Sequence, residues 1–273
     1  MMRALYTAAT GMIAEQTNVD TIANNLSNVN TNGFKNERTE FKSLLYQTIQ
    51  TKTTSANGEQ KPVGAQVGLG TRVAATTSMY TQGALLSSES DTDFAIEGDG
   101  FFAVRDVDGE VYYTRNGNFS WSRTADGRTI LADCEGCPVL DSEGNEIVVP
   151  DGVMSGNMVF SQDGSIGYKD VETGNVIQLN QSFGIYQFNN PAGLEKLSSS
   201  KLMATPASGN PMLEGATAGV SLSKIHQKYL EGSNVQVADE MVNMIIAQRA
   251  YELNSKAITT ADSMLDTANN LKR

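Results

Sequence analysis

The residues that could do chemistry are few. His226 is the single histidine, so any Ser-His-Asp or Cys-His arrangement must use it. It stands beside Gln227 and Lys228 without a G-x-S-x-G elbow, so a surface or interface histidine is expected at the foot of the last helix. Cys134-Glu135-Gly136-Cys137 is a C-x-x-C. Structural zinc would want a second pair, and a thioredoxin-like role would want a helix N-terminus in a βαβ setting. This pair instead sits in a glycine-bearing turn before Pro138, which leaves a local disulfide or two free thiols. Gly98-Asp99-Gly100 precedes a strand and lacks the helix N-terminus that would hold phosphate. Asp106, Asp108 and Glu110 lack the rest of a calcium loop and read as a solvated hairpin tip. Acidic pairs for glycoside cleavage are available, but nothing in the sequence selects one. No catalytic, cofactor-binding or metal-binding residue is assigned.

The informative stretch is Ala23–Lys35, with five asparagines within positions 24–32. Asparagine amides compete with the helical backbone for hydrogen bonds. Two readings stand: a helix that frays into an Asn32-Gly33 turn, or amides that bond between chains and fix register.

The elements that must position these residues follow from punctuation and charge. The chain has 273 residues, 40% of them hydrophobic and 19% charged, with a net charge of -11. The acidic balance argues against nucleic acid, and the longest apolar runs fall far short of the roughly 20 residues of a membrane helix. Residues 1–45 carry four basic and four acidic side chains, and residues 226–273 carry five and six, so the middle holds -10 of the -11. The middle also holds all six prolines and 22 of the 25 glycines. Two proline-free ends therefore flank an acidic, turn-rich insert.

Both ends show helical periodicity. Leu5, Met12, Val19 and Leu26 recur every seven residues, with Ala8, Ile22 and Val29 in the companion row and Glu15 breaking it. Val237, Met244, Tyr251, Ile258 and Leu265 do the same near the C-terminus, with Ala247 and Ala261 between them. A strict heptad keeps one stripe facing a partner helix. Ser233 and Asn234 are cap candidates, with Asp239 and Glu240 in the first turn. Gly11 is either a tolerated glycine or a point of close helix approach. Met241, Ile245, Ile246 and Leu253 widen the apolar stripe beyond what one partner helix covers. They pack either on further chains or on the middle domain.

The middle reads as β. Asp-Gly and Asn-Gly turns separate short β-branched or aromatic runs, namely 101–104, 110–113, 118–121, 129–131, 146–149, 158–160, 176–179 and 183–188. An antiparallel meander, sandwich or irregular barrel follows. The expected fold is α+β: a discontinuous helical domain of N- and C-terminal coiled-coil-forming helices around a central, mainly antiparallel β domain. Its expected parts are an N-terminal helical segment over 1–45, an extended connector over 46–80, an acidic β domain over 81–225 and a long C-terminal helix within 226–273.

Ala23–Lys35 resembles the N-terminal signature of bacterial flagellar rod and hook proteins, an Ala-Asn-Asn-x-x-Asn core running into a Gly-aromatic-Lys end. Glu231–Val235, Met241–Ile245 and Gln248–Glu252 are similar to the partner signature at the C-terminus. Phe41–Tyr46, Val67–Thr71, Gly98–Phe102 and Asn254–Ala257 are similar to the distal-rod branch of that family. The resemblance implies a structural, non-enzymatic subunit that stacks helically with copies of itself into the hollow shaft carrying torque from motor to hook. Proximal rod or hook is the alternative within the family. It also implies rod, hook and ring proteins as partners, export through the flagellar type III apparatus without a cleaved signal, and a place in the basal body. Neither nucleic acid nor membrane insertion is expected, and no cofactor. The residues expected to carry subunit packing are Leu5, Met12, Val19, Leu26, Asn24, Asn25, Asn28, Val237, Met244, Tyr251, Ile258 and Leu265. The reading from a different class is a secreted enzyme or carbohydrate binder on a helical stalk, with Trp121, Tyr112, Tyr113 and Tyr168 as its aromatics.

Overall fold

The computed structural model describes residues 2–50, 64–150, 152–170, 175–217 and 219–271. Part of the expected connector, and parts of the turns at 151–152 and 173–175, lie outside the described residues. The chain divides into two compact units. One comprises residues 1–27, 37–78 and 236–273, the other residues 28–36 and 79–235.

In the helical unit, α1 (Met2–Ser27) and α2 (Val237–Asn270) pack against each other. α2 contains neither glycine nor proline, and its 34 residues span about 51 Å. Asp239 and Glu240 occupy its first turn, where a helix dipole favours carboxylates. The expected caps are not used. The helix begins at Val237, so Gln236 stands at the cap position, beyond Ser233 and Asn234, and it makes no side-chain cap bond. The contact seam on α2 runs through Glu240, Ala247 and Ala261, all buried, with Met244, Asn254 and Ile258 half-buried along the same 3–4 spacing. On α1 the buried residues are Ala8, Ala14, Thr21, Ile22 and Asn25. Small side chains let the backbones come close, and Gly11 settles its own two readings: a Cβ there would lie 2.8 Å from Asn254 Nδ2. It is a close-approach glycine.

The rest of the helical unit is strand. β1 (Glu37–Ser43) pairs antiparallel with β4 (Thr71–Ser78), with a register shift between Glu40 and Phe41. β2 (Tyr46–Gln50) pairs with β3 (Ala65–Gly68). Residues 37–43 and 46–80, read from sequence as helical segment and connector, thus contain two ladders. Their Thr- and Gln-rich strands bury little, so no alternation announces them.

The β unit holds the remaining strands. β5 (Leu85–Ser87), β6 (Phe94–Glu97), β7 (Phe101–Arg105) and β8 (Val111–Thr114) come first. β9 (Phe119–Arg123), β10 (Thr129–Asp133), β11 (Met158–Phe160), β12 (Ser165–Lys169) and β13 (Val176–Ser182) follow. Last are β14 (Ile185–Gln187), β15 (Glu195–Lys196), β16 (Lys201–Met203), β17 (Met212–Leu213), β18 (Lys224–Gln227) and β19 (Tyr229–Glu231). A six-stranded sheet in the order β15-β16-β8-β7-β14-β17 forms its centre. Antiparallel ribbons β9/β10, β6/β18 and β5/β19 and the three-stranded β11-β12-β13 surround it.

β7 shows why the centre holds. Phe102 and Val104 join one core cluster, with Phe94, Phe119, Leu131 and Ile166; Phe101 and Ala103 join another, with Tyr113, Phe188 and Leu202. A strand buried on both faces reads as a continuous apolar run, and Phe101–Val104 is one. Residues 146–149, expected as a strand, make only isolated bridges, Ile130 to Val148 and Leu140 to Glu146. Residues 226–231 are expected from sequence to belong to the C-terminal helical segment, with the β domain ending at 225. The strands β18 and β19 form there instead, pairing with β6 and β5 far earlier in the chain.

Candidate functional site

Two features of the molecule bear on function: apolar stripes on the helices, and a buried charge cluster in the β unit. The stripes come first. Met241, Val242, Ile245, Ile246 and Leu253 of α2 are exposed, Ile246 at 61% and Leu253 at 65%. On α1, Tyr6 and Ile13 are exposed at 72% and 66%. These positions are off the α1–α2 seam, so the helix pair leaves them uncovered. An open groove of about 430 Å³ lies between the helices, lined by Gln16, Val19, Gln248, Tyr251 and Glu252.

The residues expected to carry subunit packing fall into three groups. Leu5, Met12, Val19, Leu26, Met244 and Ile258 are half-buried within the single chain. Val237, Tyr251 and Leu265 stay exposed, as does Asn24. Asn25 is 1% exposed and spends its amide inside the chain: Nδ2 donates to Glu37 O at 2.8 Å, and Oδ1 accepts from Glu37 N at 2.9 Å. Its Nδ2 also approaches Glu240 Oε2 at 3.5 Å. Asn24 Nδ2 reaches Glu37 Oε2 at 3.4 Å, and Asn28 Oδ1 accepts from Thr31 Oγ1 at 3.1 Å. For Asn25 the inter-chain reading therefore gives way to a local one. A primary amide presents a donor and an acceptor side by side, so it can pair with a strand residue as another strand would.

The second feature was not foreseen from sequence. In the β unit, Glu231, Lys35 and Arg115 form a buried ionic cluster with side-chain exposures of 0%, 4% and 3%. Glu231 Oε1 accepts from Lys35 Nζ at 2.6 Å and from Gly83 N at 2.9 Å, and its Oε2 accepts from Arg115 Nη1 at 3.3 Å. Lys35 Nζ also donates to Thr81 O at 2.9 Å, and Arg115 Nη2 to Gly98 O at 2.7 Å. Arg115 lies over the Phe101 ring, 5.0 Å from its centroid. Burial pulls the Lys35 pKa below the ordinary lysine value, against the raising pull of the Glu231 carboxylate. Lys35 and Glu231 both belong to the segments that resemble the family signatures, yet sequence alone gives no sign that they pair.

The chemistry-bearing motifs resolve into structural roles. His226 lies in β18 opposite Ala95, not on α2, and its Nε2 meets Glu97 Oε2 at 2.8 Å. That contact holds the Glu97 carboxyl below the usual range. Cys134 and Cys137 sit at a hairpin turn closed by Gly136 N to Asp133 O at 2.8 Å, and both thiols are free. Cys134 is exposed; Cys137 is buried, with Lys201 Nζ 3.1 Å from its sulfur. Burial pushes both thiols up, away from ready reactivity. Among the described residues, no group of three or more His, Cys, Asp or Glu side chains is placed to hold a metal. Tyr112, Trp121 and Tyr168 pack against the first core cluster and Tyr113 is buried in the second, so these four aromatics line the interior rather than a sugar-binding groove.

Terminal helices flanked on their inner sides by two signature segments, with a β unit between them in sequence, point to a protein of the flagellar rod and hook class. Three family profiles agree: "Flagella basal body rod protein" over residues 5–35, "Flagellar hook protein FlgE/F/G D1 domain" over 95–168 and "Flagellar basal body rod FlgEFG protein C-terminal" over 226–271. Within that class, the chain belongs to the family of the flagellar basal-body rod protein FlgG. It is 46% identical to FlgG of Borreliella burgdorferi over 100% of both chains. It is 40% identical to that of Agrobacterium fabrum, over 99% of this chain and 100% of the relative. FlgG of Bacillus subtilis is 35% identical over 100% of both. A solved hook protein, FlgE2 of Helicobacter pylori, matches 65% of this chain and 47% of its own at 18% identity. Its TM-score is 0.24. The chain is a structural protein of the flagellar basal-body rod.

Proposed function

We propose that this chain polymerises with copies of itself into the distal part of the rod, a hollow shaft that carries torque to the hook. The observation that carries this reading is the apolar stripe of Met241, Val242, Ile245, Ile246 and Leu253, which the chain's own α1 leaves uncovered. Burying such side chains yields about 1.5–3 kcal/mol each, and a helical stack repeats that gain at every subunit. In this reading Leu5, Met12, Val19, Leu26, Met244, Tyr251, Ile258 and Leu265 contribute to the packed helical tube, and the acidic β unit faces outward. Other rod, hook and ring proteins cap the stack, and the flagellar export apparatus delivers the chain. Its work is mechanical rather than enzymatic, in keeping with thiols and a histidine that serve hairpins and surface pairs.

Ile245→Glu tests the proposal. Ile245 is 58% exposed, so the charge leaves the single chain folded. The variant is expected to be monomeric by sedimentation and to fail to restore rods in cells lacking the protein, while the wild type restores them. Wild-type rod numbers with Ile245→Glu would refute the stripe as the assembly surface.

A further inference from the structure

The chain crosses between the helical and β units after residues 27, 36, 78 and 235. Within the β unit, the segments beside three of those crossings are tied together by one side chain. Asn36 N donates to Asn234 Oδ1 at 2.7 Å. Asn234 Nδ2 donates to Met79 O and to Thr81 Oγ1, both at 2.8 Å, with Thr81 O at 3.1 Å. The triangle closes through the backbone, where Met79 N donates to Asn36 O at 2.8 Å. Just inward of this knot, Lys35 and Gly83 meet Glu231, and Gly33 N donates to Glu231 O at 2.8 Å.

We propose that Asn234 is a positioning residue for rod assembly. It fixes, within the β unit, the spacing of the three exits at residues 36, 79 and 234, through which the chain passes to β1, from β4 and to α2. The inference rests on the rod reading above and adds a residue to it. Its chemistry is specific. Only a side chain with an acceptor and a donor pair at the same end satisfies Asn36 N on one side and the Met79 and Thr81 oxygens on the other.

The test uses the full chain in cells lacking their own copy. Wild type, Asn234→Ala, Asn234→Asp and the control Ser142→Ala are compared. The control removes a single hydrogen bond of the β unit, between Ser142 Oγ and Ser182 Oγ at 2.8 Å, away from the exits. Rods in purified basal bodies are counted, and the urea midpoint of each purified chain is read from Trp121. Both Asn234 variants are expected to cut rod numbers about tenfold, the factor that about 1.4 kcal/mol of lost preorganisation gives. Both Asn234 variants should still be folded in the absence of urea, and Ser142→Ala keeps wild-type rods. The inference is overturned if Asn234→Ala assembles normally, or if Asn234→Asp, whose second oxygen faces two carbonyl oxygens, matches the wild type. It is also overturned if rod number follows the midpoint across all variants, for then the amide only stabilises the fold. Failure of the wild-type chain itself to restore rods would overturn the rod reading instead.

Discussion

Replacing Glu231 by alanine removes the one carboxylate that faces two buried cations. Lys35 and Arg115 are then left at 4% and 3% side-chain exposure without the carboxylate they share, Lys35 keeping only the weaker pull of Asp99, and Gly83 N loses its acceptor. Breaking a buried pair by deleting one partner costs about 3–5 kcal/mol, because the surviving charge has no water to turn to. With two cations stranded, the upper end, about 5 kcal/mol, is expected at neutral pH. That approaches the whole stability of a small domain, about 5–15 kcal/mol. The loss carries a sign in pH. Burial already holds the Lys35 pKa low in the folded state, and the carboxylate that opposes this is gone in the variant. A folded-state pKa below the unfolded one means that the folded molecule gives up its proton first as pH rises. Stability of the variant is therefore lowest at neutral pH and recovers in the alkaline range below about 10.4, the unperturbed lysine value. The wild type should rise less steeply there. Urea unfolding followed by Trp121 fluorescence, at neutral pH and at about pH 9.5, measures both effects. Glu231→Gln keeps the shape and one acceptor, and should fall between alanine and wild type. A loss under about 1 kcal/mol, the range of exposed ion pairs, or a loss that does not change with pH, would show that the cluster is neither buried nor mutually dependent.

Two further outcomes follow from the β unit. Burial, with a smaller contribution from Tyr186, raises the Tyr113 hydroxyl to about 12. Stability from that group is complete below the ordinary tyrosine value and is lost as pH rises through the folded-state one. Tyr113→Phe should extend the alkaline limit of folding without changing stability at neutral pH, and identical alkaline midpoints would contradict this. A Cβ on Gly117 would lie 1.7 Å from Phe94 O, so Gly117→Ala must displace β6 and should cost about 3 kcal/mol. At Gly156, where nothing lies within 4 Å, alanine should be close to neutral in the same urea titration.

The elements that read clearly from sequence are those whose local pattern matches their burial. α2 was visible because Met244, Ala247, Ile258 and Ala261 keep a 3–4 spacing and because the segment lacks glycine and proline. β7 was visible as the apolar run Phe101–Val104, and β8 to β10 from the Asp-Gly and Asn-Gly turns around them. β18 and β19 were not visible. His226, Gln227, Lys228 and Tyr229 carry no alternation, and their strand character comes from β6 and β5, far away in sequence. The uncovered stripe at Met241–Leu253 was legible because its width exceeds what a single partner helix can cover. Glu231 was illegible for the opposite reason: a lone carboxylate looks solvated until Lys35 and Arg115 are seen beside it. Asn25 misled because a buried amide satisfied by its own chain and one satisfied by a neighbour have the same sequence.

The β unit draws nine residues, 28–36, from ahead of β1, while the rest of it runs unbroken from 79 to 235. A transplant of this unit between relatives that cut only at 79 and 235 would leave Lys35 with the host and carry Glu231 with the graft. Recombination at those two seams would then mismatch a buried cation and its anion whenever the parents differ there. Donor tissue for a working chimera must be taken in two pieces, the short one included.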